Sequence, residues 1–226
     1  FPVVKHSYLL KDAADVPRVV REAFYVAQTG RPGPVLVDVP KDVSQATIEP
    51  DYTEEFHLPG YHLTTEPDMR DVEEAAALLR LARRPVILAG HGAVIAGAER
   101  PLQHLAEKLQ IPVTNTLLGK GAFPETHPLS LGMLGMHGTA YANLAIKDAD
   151  LIMSVGSRWD DRIVGKPDSF APAAKKIHVD IDAAEFGKIL PMDVTIQGDA
   201  KRACEALLMA AEKGETGEWL NQIDKW

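Results

Sequence analysis

Several short clusters of polar residues and glycine follow apolar, β-branched runs in this sequence. They read Gly90-His91-Gly92, Thr114-Asn115-Thr116, Gly156-Ser157-Arg158, Asp180-Ile181-Asp182 and Gly198-Asp199. Glycines let a phosphate approach backbone N–H groups, arginine neutralises it, and a carboxylate accepts hydrogen bonds from ribose hydroxyls. In open α/β sheets ligands bind at the carboxyl ends of the strands, so five such ends on one edge would form a nucleotide crevice. The bland alternative is that the glycines end strands and the acids cap helices. An ordinary NAD fingerprint fits poorly. G-x-G stands at 90–92, but the next glycine is Gly97 and no acid ends the following strand. There is no Walker sequence and no H-x-x-x-H pair, and the single Cys204 cannot build a thiolate metal cage.

A denser signal lies in LGMLGMHG at 131–138 and GSRWDDRIVGK at 156–166. Gly132, Gly135 and Gly138 permit close backbone approach. Met133 and Met136 offer soft apolar surface suited to a flat ring, although core methionines are the commoner case. Arg158 and Arg162 lie within five residues, beside a strand-end glycine, which favours a polyanion. Asp160-Asp161-Arg162 also reads as a surface turn.

Alternating elements must position these residues. Val72, Ala75, Ala76, Leu79 and Ala82 give an amphipathic helix; Leu102, Leu105, Ala106 and Leu109 give another; 139–146 and 200–213 read as helices. Strands are expected at 85–89, 112–117, 151–155, 177–181 and 194–197. This order predicts parallel βαβ units, a doubly wound parallel sheet flanked by helices. Upstream, Val16, Val19, Val20, Ala23, Phe24 and Ala27 mark one helix face, and PVLVDV at 34–39 marks one strand. One helix and one strand cannot bury each other, so 1–44 reads as the end of another α/β domain. Residues 45–70 are a linker by composition, 71–213 the main domain, and 214–226 the start of a further linker.

The composition is that of an ordinary globular protein: 226 residues, 46% hydrophobic and 25% charged. A net charge of −8 argues against broad nucleic-acid contact, and no apolar run approaches the ~20 residues of a membrane span. One cysteine allows no internal disulfide.

LGMLGMHGTAYAN followed by GSRWDDRIVGK resembles the central domain of the acetolactate synthase (acetohydroxyacid synthase) large subunit. GRPGPVLVDVPKDV at 30–43 is similar to the end of the pyrimidine-binding domain that precedes it, and KKIHVDIDAAEFGK at 175–188 and QGDA at 197–200 match further on. The resemblance spans residues 5–210 in the family's order. It implies a Rossmann-like central domain of a thiamine diphosphate enzyme that joins a pyruvate-derived unit to a second 2-ketoacid, on the route to branched-chain amino acids. Glyoxylate carboligase shares the layout, and the double acid of WDDR favours acetolactate synthase over it. A non-catalytic nucleotide-binding module is the alternative of another class.

By motif, the resemblance implies FAD contacts at Arg31, Gly90, His91, Gly92, Thr116, Leu117, Leu118, Leu134, Gly135, Met136 and His137. They continue at Gly156, Arg158, Asp160, Arg162, Asp180, Ile181, Glu185 and Asp199. His91 sits where many members have glycine, so only a main-chain contact carries over; Leu118 stands where many have methionine. Lys41, Met136, Asp161 and Arg162 resemble residues lining the substrate channel, with Arg162 holding the acceptor carboxylate. The glutamate that activates thiamine is expected upstream of Phe1, and the magnesium- and diphosphate-holding segment downstream of Trp226. The fragment is thus expected to bind FAD without turnover, and thiamine diphosphate and Mg2+ to belong to the full-length enzyme. Implied partners are 2-ketoacids, further catalytic subunits in a homodimer or tetramer, and a small regulatory subunit, with no nucleic acid or membrane. The implied compartment is the cytoplasm of a bacterium, or a plastid or mitochondrion of a eukaryote.

Overall fold

The computed structural model describes residues 3–53, 55 and 58–226. The chain divides into two units, 1–63 and 64–226. The boundary falls inside the stretch expected as a linker.

In the first unit, β1 (His6–Leu9) pairs in parallel with β2 (Val35–Asp38), joined through α1 (Val16–Gln28); α2 (Lys41–Gln45) follows. The sequence reading missed β1, whose HSYL holds no β-branched residue. It placed α1 correctly but mis-phased its face. The buried positions are Pro17, Val19, Glu22, Ala23 and Val26, while Phe24 is 63% exposed. Glu22 goes inside because Arg18 donates to its carboxylate at 2.9 Å, and a paired buried charge is tolerable where a lone one is not.

The second unit begins with α3 (Met69–Leu81), started by the Asp68 carboxylate accepting from the Arg70 N–H. It continues through β3 (Pro85–Ala89), α4 (His91–Ile95), α5 (Glu99–Leu109), β4 (Val113–Asn115) and β5 (Ser130–Met133). After these come α6 (Ala140–Asp148), β6 (Leu151–Val155), α7 (Asp161–Val164), β7 (Lys175–Asp180), β8 (Val194–Gln197), α8 (Ala200–Ala210) and α9 (Gly217–Ile223). The strands form one parallel sheet in the order β5-β4-β3-β6-β7-β8. Chain order therefore runs outward from β3 to one edge, returns, and runs outward from β6 to the other, which is the Rossmann order with its switch point between β3 and β6.

Both faces of the sheet are covered, so its strands are apolar throughout rather than alternating. Ile87, Ala89, Met153 and Val155 pack with Leu102, Leu105 and Leu207 on one side. Val86, Leu88 and Ile152 pack with Ala142, Ile146, Trp159 and Trp219 on the other. Cys204 lies in the first of these cores, and burial pushes its thiol up to about 12. At the amino ends of the strands the Asp150 carboxylate accepts from the N–H groups of Arg83 (2.8 Å) and Arg84 (2.9 Å), tying β3 to β6.

The structure corrects the reading of 214–226 as a linker. Those residues carry α9, and Trp219 is buried with its indole N–H donating to the Pro85 carbonyl at 3.1 Å. Short α4 and α7, and β5 with its Gly132, were also unpredicted.

The switch point is closed by backbone against backbone. A Cβ on Gly156 would lie 2.6 Å from Gly92 Cα, one on Gly92 would lie 2.7 Å from Gly156 Cα, and one on Gly90 would collide with the Gly156 carbonyl. Gly156 also has φ +64, which disfavours any side chain. Gly187 has a similar φ of +68 but no atom within 4 Å of an added Cβ. Gly187→Ala should therefore show strain alone, whereas Gly156→Ala should lose about 1–3 kcal/mol more from overpacking. Urea unfolding of both variants measures this; equal losses would mean that the close contact at β3/β6 is not limiting.

Candidate functional site

The six parallel strands bring every predicted site residue of the second unit to one edge. Gly90, His91 and Gly92 follow β3; Thr116, Leu117 and Leu118 follow β4; Leu134, Gly135, Met136 and His137 follow β5. Gly156, Arg158, Asp160, Asp161 and Arg162 follow β6, Asp180 ends β7 with Ile181 and Glu185 after it, and Asp199 follows β8. Arg31 and Lys41 belong to the first unit, Arg31 after α1 and Lys41 at the start of α2, both exposed.

The floor is side-chain-free. Gly92 N–H donates to the Gly156 carbonyl at 3.0 Å, and Gly119 packs against the Ala89 carbonyl where a Cβ would clash. The Thr116 hydroxyl accepts from Gly119 N–H at 3.0 Å and shapes the turn after β4. That turn leaves Leu117 and Leu118 largely exposed, and Met136 is 75% exposed, so it is no core methionine. Leu134 differs, with its side chain buried in the core and only its backbone at the edge. Asn115, the last residue of β4, is fully buried, and neither end of its carboxamide has a hydrogen-bond partner among the described residues.

The loop after β6 is held by a strained tryptophan. Trp159 has φ +58, an outlier for a bulky residue, and is almost fully buried, edge-on to Phe170 with centroids 6.0 Å apart. Burial of the indole compensates the backbone strain and turns its neighbour Arg158 outward, exposed. Beneath this loop, burial lowers the Lys176 pKa, and its ammonium donates to the carbonyls of Ala171 (3.3 Å) and Ala174 (2.9 Å). The loop after β5 meets the one after β6 at Gly135, where φ is +96 and an added Cβ would stand 2.8 Å from the Arg162 carbonyl oxygen. Asn143 clamps that glycine from α6, accepting from its N–H and donating to its carbonyl, both at 3.0 Å.

The acids divide by their partners. Asp199 caps α8, accepting from Lys201 N–H (3.0 Å) and Arg202 N–H (3.2 Å), so its side chain does the capping work of the bland reading. Asp160 caps α7 through Arg162 N–H at 3.0 Å and stands 3.6 Å from the Arg158 guanidinium. Glu185 is buried with Lys188 at 3.1 Å. Asp180 gives Oδ1 to Asp182 N–H at 2.9 Å, and its Oδ2 lies 3.6 Å from His178 Nε2. Asp161 is exposed, and no ion pair holds the Arg162 guanidinium among the described residues. Asp160 and Asp161 thus leave it available to an external anion. Sequence reasoning gave Asn115 only a place in a polar strand end and no individual role to Trp159 or His178; for His178 the available signal was its place two residues before Asp180, on the same strand face.

The model for the central domain of thiamine pyrophosphate enzymes matches residues 72–207. The chain is 46% identical over 236 residues to an acetolactate synthase of Arthrospira platensis, covering 98% of the chain and 41% of that protein. It is 46% identical over 236 residues to the acetolactate synthase large subunit of Parasynechococcus marenigrum, covering 100% and 37%. With the acetolactate synthase large subunit of Corynebacterium glutamicum it shares 45% over 227 residues, covering 98% and 36%. The chain thus spans well under half the length of these curated relatives.

The contact at Gly135 makes a local prediction. Gly135→Ala should push the Arg162 backbone away and loosen α7, since only a few hydrogen bonds hold so short a helix. Hydrogen exchange at the amides of Ile163, Val164 and Gly165 should accelerate by about tenfold or more, while β6 amides stay protected. Unchanged exchange at all three would mean that the two loops do not support each other.

Proposed function

The chain belongs to the thiamine pyrophosphate enzymes, whose central domain it carries over residues 72–207, and we propose that it is the flavin-binding central portion of an acetolactate synthase large subunit. The parent enzyme would condense two pyruvates to acetolactate, or pyruvate with 2-ketobutyrate to acetohydroxybutyrate. One observation carries the reading. All six strands end on one edge whose floor has no side chains, with a carboxylate at the end of β7 and two exposed arginines after β6.

That edge fits an extended dinucleotide. The floor of Gly90, Gly92 and Gly156 admits a diphosphate close to the backbone, and Arg158 neutralises its charge. Asp180 accepts from ribose hydroxyls. Leu117, Leu118 and Met136 offer exposed apolar surface for the flat flavin ring. Met136, Asp161 and Arg162 would line the path of the 2-ketoacids. Thiamine diphosphate with magnesium would supply the carbanion chemistry of the parent enzyme. Arg162 would grip the acceptor carboxylate with its guanidinium fork, setting the keto carbon for attack. The "large subunit" in the relatives' names supports a smaller partner subunit.

Titration calorimetry with FAD, FMN and NAD tests the cofactor, with FAD expected to bind most tightly. Asp180→Ala should weaken FAD by about ten- to a hundredfold, because hydrogen bonds to charged groups are worth about 1.5–3 kcal/mol. A folded protein that takes FMN or NAD but not FAD would sink the reading. If the variant loses thermal stability equally with and without FAD, and flavin affinity barely moves, Asp180 is only a turn residue.

Arg162→Lys tests the acceptor site in the full-length enzyme. An ammonium cannot reproduce two parallel hydrogen bonds to a carboxylate. The variant should form less acetolactate per pyruvate consumed at saturating FAD, because the donor half of the reaction does not need this grip. An unchanged ratio with a lowered melting temperature would make Arg162 a purely structural residue.

A further inference from the structure

Asp180 has a companion on its face of β7. Side chains alternate along a strand, so His178 lies on the same side of the sheet. Its ring is fully buried, and neither nitrogen has a hydrogen-bond partner among the described residues. The imidazole sits in an aromatic box, edge-on to Trp159 with centroids 6.1 Å apart and to Phe186 at 5.0 Å. An apolar ring would fill that box without the desolvation cost of two buried nitrogens. What distinguishes the imidazole is where its polar atom lies: Nε2 is 3.6 Å from Asp180 Oδ2.

That gap is just beyond hydrogen-bonding range, and closing it takes about half an ångström. The other oxygen, Oδ1, is already fixed by Asp182 N–H at 2.9 Å. The carboxylate is therefore anchored at one oxygen and unanchored at the one that faces the imidazole. With its proton on Nε2, neutral histidine offers Nδ1 as an acceptor, and the neighbouring Trp159 Nε1–H is an unpartnered buried donor. The box thus holds two buried polar rings, neither with a hydrogen-bond partner for its ring nitrogens among the described residues.

We propose that His178 is the positioning residue for Asp180, closing an Nε2–H hydrogen bond onto Oδ2 when ribose hydroxyls engage the carboxylate. With both oxygens anchored, the carboxylate can no longer rotate, and its remaining lone pairs face the ligand edge. The same ring links Asp180 to Trp159, whose strained backbone presents Arg158. His178 would therefore couple the ribose-binding and diphosphate-binding parts of the site. This inference rests on the reading of Asp180 as the ribose acceptor.

The test is a double-mutant cycle on FAD affinity in the full-length protein, with folding followed by circular dichroism. His178→Phe keeps the aromatic edge contacts and removes the donor. His178→Gln keeps a donor near the Nε2 position. His178→Phe should weaken FAD about tenfold, and His178→Gln should stay within about twofold of wild type. In an Asp180→Ala background, His178→Phe should have no further effect, since it has no carboxylate left to orient. If His178→Phe does not fold, His178→Asn, too short to reach Oδ2, replaces it with the same expectation. An equal loss in both backgrounds, or a glutamine variant as weak as the phenylalanine one, overturns the proposal and reduces His178 to packing. A folded wild type that binds no FAD removes the reading of the site and this inference with it. Tight wild-type binding with additive variants removes the inference alone.

Discussion

The second unit depends on the direct contact of two backbones at the switch point. Between β3 and β6 the turns approach so closely that Gly90, Gly92 and Gly156 leave no room for a Cβ. Gly90 N–H donates to the Val155 carbonyl at 2.9 Å and Gly92 N–H to the Gly156 carbonyl at 3.0 Å. A parallel sheet that reverses its winding opens a crevice there, because the connections leave in opposite directions. The glycines keep that crevice narrow and line it with backbone polarity. The loops after β4, β5 and β7 then take their places relative to this floor, Gly119 by its own contact with Ala89.

Positional precision at the edge comes from behind the surface. Arg158 is presented by a tryptophan held in a left-handed conformation, which the chain tolerates because the indole is buried between Phe170 and His178. Asn143 on α6 fixes Gly135, and Gly135 in turn abuts Arg162. Arg158 is thus backed by a buried ring of its own loop, and Gly135 by a side chain from another element, α6. This arrangement is what a site needs if its charges are to be pre-oriented rather than recruited on binding.

The alternation of strands and helices, and the polar character of the strand ends, were legible in the sequence because both are local. PVILA and LIMSV have the length and apolarity of doubly covered strands, and the structure starts and stops them at those residues. What escaped was either short or non-local. α4 and α7 have five and four residues, less than the window in which a 3.6-residue period can be recognised. β5 reads SLGM, with a glycine where a strand former is expected. α9 is tied in by Trp219, whose partner carbonyl on Pro85 lies far away in sequence, with Leu220 and Ile223 packed beside it. The buried companions of the site escaped for the same reason. Trp159, His178 and Phe186 meet only once β6 and β7 have paired, and nothing local marks them as neighbours.

A net charge of −8 would oppose the dinucleotide diphosphate proposed for this edge, and the local arrangement of charges offsets it. Several carboxylates stand at this edge, but most are spent on backbone N–H groups. Asp199 caps α8, Asp160 caps α7, and Asp182 accepts from Ala184 N–H at 3.1 Å. Glu185 is neutralised by Lys188. A capping carboxylate balances the positive end of its own turn, so little of its charge reaches the crevice. The arginines are treated in the opposite way. Arg158 has only Asp160 at 3.6 Å, and the Arg162 guanidinium has no ion-pair partner among the described residues. At physiological salt, charges beyond about 8 Å are largely screened, so an anion at this edge would meet the local imbalance rather than the protein's total. Asp180 is the exception among the acids: in the proposed reading it would meet ribose hydroxyls, to which a negative charge is attractive.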